Sequence, residues 1–164
     1  MSKYIIDPTN TEISFYVSYL VIAKVKGDIK SFSGNIESEL EDLTDSQIEL
    51  NIDTNSIYTG IKDRDDHLKS DDFLDTNQFP HIKFVSTSIE KKKVNYSIKG
   101  ILRIKNVSKE VEFTATKTQD NFFNIRGEIS REDYNLRFNS TNKGNHLVGN
   151  EVKIFINCEL NKKY

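Results

Sequence analysis

Residues 59–84 read TGIKDRDDHLKSDDFLDTNQFPHIKF, and they form the one helix-like stretch in a chain otherwise written in period-two alternation. Ile57, Ile61 and Leu68 recur at helical rather than strand spacing, and the residues around them are rich in charge. The spacing predicts a helical insert over about 59–75, lying across the rest of the fold as a lid or plug. Ser70 before Asp71-Asp72 has the composition of an N-cap, with acids in the first turn of a second helical piece. Phe79-Pro80 forces extended backbone and restarts the strands.

Outside this insert, apolar residues occupy every second position. Ile13, Phe15, Val17, Tyr19 and Val21 alternate with Ser14, Tyr16 and Ser18, as in a strand with one face in a core. The same period runs through Ile48 to Ile52, Val94 to Ile104, Val111 to Ala115, Phe123 to Ile129 and Val152 to Leu160. Shorter pieces lie around Val25 to Ile36, Ile82 to Ile89 and Tyr134 to Phe138, which makes eight or nine strands. The opposite parity is polar, so each strand shows one face to water, as antiparallel sheets do. Glu41 to Asp45, Lys91 to Lys93, Asn106 to Ser108 and Gln119 to Asn121 have hairpin length and turn composition. A meander of this many strands removes its edges by closing into a barrel. An eight-stranded barrel is just wide enough to be filled by side chains or to hold one small ligand. Gly27, Gly34, Gly100 and Gly127 fall in phase with the large apolar residues. They mark either space along the barrel axis or plain strand kinks with no cavity behind them.

With 164 residues, 36% of them hydrophobic, the chain makes one domain, 1–164, large enough to enclose a sizeable interior. No apolar run approaches the length of an integral membrane segment. The N-terminus has no charged head, apolar core or small-residue cleavage site, so the expected location is cytoplasmic unless a signal has been removed. The net charge is -2, from 23 basic and 25 acidic residues, and no basic cluster is interleaved with aromatics, which argues against nucleic acid. The single cysteine, Cys158, falls in the alternating run of the last strand and reads as a small buried hydrophobe.

The sequence offers few groups for catalysis. Asp63 and Asp71 flank His67 at i−4 and i+4, so a continuous helix would carry all three on one face, as a metal site or an acid/base pair. His81 and His146 stand in no supporting motif, and a zinc site needs three or four ligands. Arg64-Asp65 reads either as an ion pair anchoring the helix to the barrel rim or as a clamp for a polar head group. There is no G-x-S-x-G elbow for Ser14 or Ser18, no G-x-G-x-x-G and no P-loop. No catalytic residue, metal site or cofactor is assigned.

The chain resembles the YceI-like family of lipid-binding proteins along nearly its whole length. YIIDPTNTEISFYVSYL is similar to that family's opening strand pattern, and VKGDIKSFSG to its V-x-G-x-F-x-x-F-x-G element. SIYTGIKDRDDHLKSDDFLDTNQFPHIKFVST holds the blocks S-I-x-T-G, R-D-x-H-L, S-x-D-F and F/Y-P-x-I-x-F-x-S in order. YSIKGILRIKNVSKEVEF, ISREDYNL and VGNEVKIFINCEL resemble the downstream strands. The chain departs from the pattern at Tyr4, Asn10, Thr11, Tyr19, Ile29, Asn106 and Asn135. The two asparagines stand where glycine is usual and tolerate positive φ. Tyr19 stands where histidine is common.

The resemblance implies an all-β, antiparallel, lipocalin-like barrel that holds a long-chain amphiphile: a polyisoprenoid, an isoprenoid quinone or a fatty-acid derivative. It implies a binding protein rather than an enzyme, with a role in stress a further expectation, and a homodimer lies within the family's range. On that footing the inward-phase residues Phe15, Val17, Tyr19, Ile52, Phe84, Tyr96, Ile98, Leu102, Phe113 and Ile125 are the candidates to contact the tail. Ile61, Leu68 and Phe73 are candidates to cover the tunnel, and Arg64, Asp65 and His67 to meet the head. Two other readings stay open: an enzyme acting on such a lipid through His67 and a neighbouring carboxylate, and a filled barrel serving as an interaction module.

Overall fold

The computed structural model describes residues 1–19, 23–136 and 148–164; the side chain of Tyr19 falls outside that description, as do Val21, Phe138 and His146. The first strands are β1 (Ser2–Ile6), β2 (Glu12–Tyr19), β3 (Ala23–Ile29), β4 (Phe32–Glu39) and β5 (Asp42–Asp53). A 3₁₀ turn over Thr54–Ser56 leads into the two-residue β6 (Ile57–Tyr58) and the helix α1 (Lys62–Lys69). The strands resume as β7 (His81–Lys91), β8 (Tyr96–Ile104), β9 (Val107–Gln119), β10 (Phe122–Ser130) and β11 (Val148–Lys162). Every pairing is antiparallel.

The strands form a closed barrel of eight staves, because β1 with β2, β3 with β4, and β5 with the two-residue β6 are each one stave with a break. β11 shows this directly: Ile154 and Ile156 pair with Phe15 and Ile13 of β2, whereas Leu160 and Lys162 pair with Ile6 and Tyr4 of β1. The break between β1 and β2 is held by Asp7, which accepts from the Thr9 N–H at 2.8 Å and from Asn161 Nδ2 at 2.9 Å. These hydrogen bonds favour the ionised carboxylate, that from Asn161 most, and hold its pKa below the usual range. From β4 the ring runs through β5, β7, β8, β9 and β10 back to β11.

Several boundaries differ from the sequence reading. The β4–β5 turn is Leu40-Glu41, and β5 already begins at Asp42. β8 begins at Tyr96, leaving Val94 in the turn with 84% exposure. Tyr134 lies in a 3₁₀ turn, Glu132–Tyr134, not in a strand. Of the two turn asparagines, Asn135 adopts φ 56°, but in the β8–β9 turn it is Lys105, with φ 57°, rather than Asn106 that takes the left-handed conformation.

Three of the four in-phase glycines host aromatic rings, and Gly34 instead hosts the Ile6 side chain, whose Cδ1 would lie 2.3 Å from an added methyl group. A methyl group on Gly27 would lie 2.0 Å from Phe15 Cζ, one on Gly127 2.3 Å from Phe113 Cδ1, and one on Gly100 2.4 Å from Phe84 Cζ. Phe15 and Phe113 are the direct cross-strand partners of their glycines. Each ring therefore lies flat over a position without a side chain and is drawn back against the wall. Phe84 and Phe113 also meet edge to face at 5.5 Å. These glycines let the three rings sit closer to the wall than any residue with a Cβ would allow.

Gly127→Ala should push the Phe113 ring off the wall, with a loss of about 1–3 kcal/mol in urea unfolding typical of overpacking. Adding Phe113→Leu to that variant should restore part of the loss, since the shorter side chain clears the new methyl group.

Candidate functional site

The barrel encloses a cavity of about 780 Å³, within the range of small-molecule sites. Its walls bring together Phe15, Val17, Ile52, Phe84 and Ile98 with Leu102, Phe113 and Ile125. Leu68 and Phe73 reach it from α1 and the turn that follows, and Arg64 and His67 line it too. Two of the inward-phase and helical candidates lie elsewhere. Tyr96 is buried, but it pairs with Lys91 and Ala115 at the barrel end away from α1, below the cavity. Ile61 is 53% exposed, because α1 starts one residue later and Ile61 is its N-cap.

The polar lining residues gather at one end. Ser18 is near the end of β2, Thr59 follows β6, Asp63, Arg64 and His67 sit on α1, and Arg131 follows β10. All these positions cap the same rim, whereas the walls below are aliphatic and aromatic, with Cys158 among them. Ser18, Asp63 and the side chain of His67 are the exposed parts of the lining, so the cavity opens at this rim.

Thr59 fastens the helix there. Asp65, 7% exposed, accepts from the Thr59 N–H at 3.0 and 3.1 Å and from its hydroxyl. Arg64 donates through Nε to Thr59 Oγ1 and through an Nη to the Thr59 carbonyl, both at 2.7 Å. Arg64 and Asp65 therefore meet through Thr59 instead of forming the ion pair or free head-group clamp that their adjacency suggested. Arg64 still faces the cavity, while Asp65 is withdrawn from it.

His67 likewise has a different neighbour from the one helical spacing implied. The Ser70 N–H and Oγ both donate to the His67 carbonyl, at 3.2 and 2.6 Å, so Ser70 closes α1 instead of opening a second helix. The chain turns after it, which brings Asp72 rather than Asp71 to His67, with Oδ2 2.9 Å from Nε2. The same turn buries Phe73 and Leu74 beneath the helix. Among the described residues no group of three His, Cys, Asp or Glu is placed to hold a metal ion.

Arg131 is a lining residue that sequence reasoning did not single out. It continues the inward parity of Ile125, Gly127 and Ile129, and that parity was the available signal. Arg131 is 6% exposed, and its guanidinium donates to the carbonyls of Gly149, Leu136 and Val148 at 2.9, 2.7 and 2.9 Å. A buried charge needs this kind of satisfaction. Tyr134 completes the corner: 1% exposed, it donates to the Leu102 carbonyl at 3.0 Å. Burial, and secondarily the charge of Asp133, pushes its pKa from 10.0 up to about 12. Burial also raises the Cys158 thiol to about 11, which keeps it protonated and a poor nucleophile at neutral pH.

A closed antiparallel barrel with an apolar interior and one polar rim defines the class of hollow, lipocalin-like barrels. The chain belongs to the YceI-like domain family, whose model matches residues 4–160. A UPF0312 protein of Staphylococcus aureus strain MSSA476 is 30% identical over 168 residues, 97% of each chain. A UPF0312 protein of Staphylococcus epidermidis is 31% identical over 170 residues, again 97% of each. Among solved structures, Burkholderia cenocepacia BcnA superposes with a TM-score of 0.83 at 23% identity, covering 93% of this chain and 98% of that one. A polyisoprenoid-binding domain from Saccharophagus degradans gives a TM-score of 0.73 at 15% identity, covering 99% and 100%. At these identities the superpositions establish a shared fold.

Two predictions follow from the rim. Tyr134 contributes stability in full below about pH 10, and that contribution is lost as pH rises toward 12, because the unfolded phenol ionises first. Tyr134→Phe should therefore remove its share of the alkaline slope in urea midpoints, at a cost of about 1 kcal/mol at neutral pH. Thr59→Val strips partners from Arg64 and the buried Asp65 and should cost about 2–3 kcal/mol, read as faster amide exchange in α1 than in β8.

Proposed function

We propose that the protein binds and carries a long-chain amphiphilic lipid, such as a polyisoprenoid, an isoprenoid quinone or a fatty-acid derivative, with its tail in the barrel and its head at the α1 rim. The observation that carries this reading is the separation of polarity in one cavity: apolar walls in the body, and Thr59, Arg64, His67 and Arg131 at one end. A tail with about 400 Å² of surface removed from water would gain on the order of 10 kcal/mol before the costs of ordering and association. Loose selectivity along the tail is the physical consequence, since methyl and methylene contacts discriminate weakly. The fold shared with a polyisoprenoid-binding domain supports the ligand class.

The second reading, an enzyme acting on the same lipid, draws on His67, which lines the cavity and has a carboxylate 2.9 Å from Nε2. Against it stands the exposure of the pair: the His67 side chain is 41% exposed and that of Asp72 25%, so water competes at the site.

Native mass spectrometry of freshly purified protein, followed by organic extraction, tests the carrier reading. The expected result is a mass excess matching one long-chain amphiphile per barrel. Leu102→Trp, which places an indole in the cavity, should reduce that excess while the chain stays folded. A clean apo mass that persists after incubation with polyprenols, quinones and fatty-acid amides would reject the reading. His67→Ala should leave the extracted lipid bound and chemically unchanged; loss of a turnover seen with the native chain would favour the enzyme.

A further inference from the structure

β3 and the first turn of α1 both border the cavity at its rim. On its edge away from β2, β3 has a ladder partner at Asp28 and Ile29, which face Tyr58 and Ile57 of β6. Ala23 to Gly27 have none among the described residues. Val25 on this free edge and Asp63 and Arg64 on the helix all line the cavity, so the gap between them is a slot in the side of the rim.

The residues bordering that slot depart from what a water-facing rim favours. Ile61 occupies the N-cap of α1 with extended backbone and makes no side-chain cap hydrogen bond. Serine, threonine, aspartate or asparagine is preferred there. Its side chain is 53% exposed, and Tyr58, three residues earlier, is 52% exposed. The loop that carries both is not loose, because Thr59 between them is fastened to Asp65 and Arg64.

Lysines border the same loop. Lys24 and Lys26 alternate with Val25 and Gly27 on the outer face of β3, and Lys30 Nζ lies 5.3 Å from the centre of the Tyr58 ring. Lys26 approaches Asp28 at 3.8 Å, whereas Lys24 and Lys30 make no ion pair among the described residues. Tyrosine, aliphatic and lysine side chains side by side match the chemistry of a membrane interface: apolar bodies below, amines at head-group level. On α1, Asp66 is paired with Lys62 at 2.6 Å, and the exposed Asp63, at the slot, keeps that face of the helix off an anionic surface.

We propose that the Tyr58–Ile61 loop and the adjoining edge of β3 dock the barrel on a phospholipid bilayer, so that lipid passes between bilayer and cavity through the slot. The route of loading rests on the carrier reading; the docking itself does not. The test is flotation of the full chain, with no lipid probe added, on vesicles of phosphatidylcholine and phosphatidylglycerol.

The native chain should float with the vesicles, and Ile61→Ser and Tyr58→Ser should each weaken the association roughly fivefold. Val94→Ser, at the opposite end of the barrel, should leave it unchanged. Ile61→Ser supplies the missing helix cap, so its effect does not arise from unfolding, and its thermal midpoint should not fall. Absence of flotation by the native chain, or equal flotation by all four proteins, overturns the docking. The same vesicles carrying a dansyl-labelled fatty acid report uptake: flotation without uptake would reject the carrier reading and leave the docking standing.

Discussion

The barrel depends on the hydrogen bonding of β11. On one edge this strand pairs with β10 from Glu151 to Glu159; on the other it pairs first with β2 and then with β1. Among the described residues its pairing with β1 is the additional one that closes the ring. Its alternation of Val152, Ile154, Ile156, Cys158 and Leu160 also places a column of apolar side chains on the inside. Closure and interior are therefore specified by the same residues, and a one-residue slip would lose both. Because the middle of the barrel is hollow, the wall must hold its shape without a packed centre. The rings of Phe15, Phe84 and Phe113 lying over glycines supply that support from within the wall.

The rim solves a different problem. A cavity open to water needs polar groups at its mouth, yet each one buried there needs partners. Thr59 is shared by an acid and a base, and Arg131 is surrounded by backbone carbonyls. Both arrangements fix charged side chains close to apolar walls without leaving their donors to compete for a ligand's tail. Orientation of an amphiphile then follows from solvation alone, since its head loses least at the end where water and polar side chains meet.

Much of this was legible in the sequence, and the exceptions have physical reasons. Strict alternation in β8, β10 and β11 identified wall residues such as Ile98, Leu102 and Ile125, because one face of each strand is wet and the other dry. Tyr96 has the same parity but lies too far along the axis; periodicity gives the side of a sheet, not the depth in a barrel. Ser70-Asp71-Asp72 has the composition of a helix start, but the Ser70 hydroxyl and N–H both turn back to His67, and composition does not encode that direction. Ile61 fitted a helical repeat with Ile57 and Leu68 only because short repeats are permissive. Arg131 was overlooked as a charged residue in an apolar register, where the partners that make its burial tolerable are carbonyls that no sequence displays.

The pairing of Tyr4 with Lys162 and of Ile6 with Leu160 joins the beginning of the chain to its end. A ribosome therefore releases the last stave after every other one, and until then the wall has a gap running its full height. Helical proteins can complete their contacts as they emerge, but this topology postpones enclosure until β11 has emerged. No compartment exists during synthesis in which a guest could be trapped. On the carrier reading, a ligand enters a barrel that is already closed, and the rim beside the helix is its route.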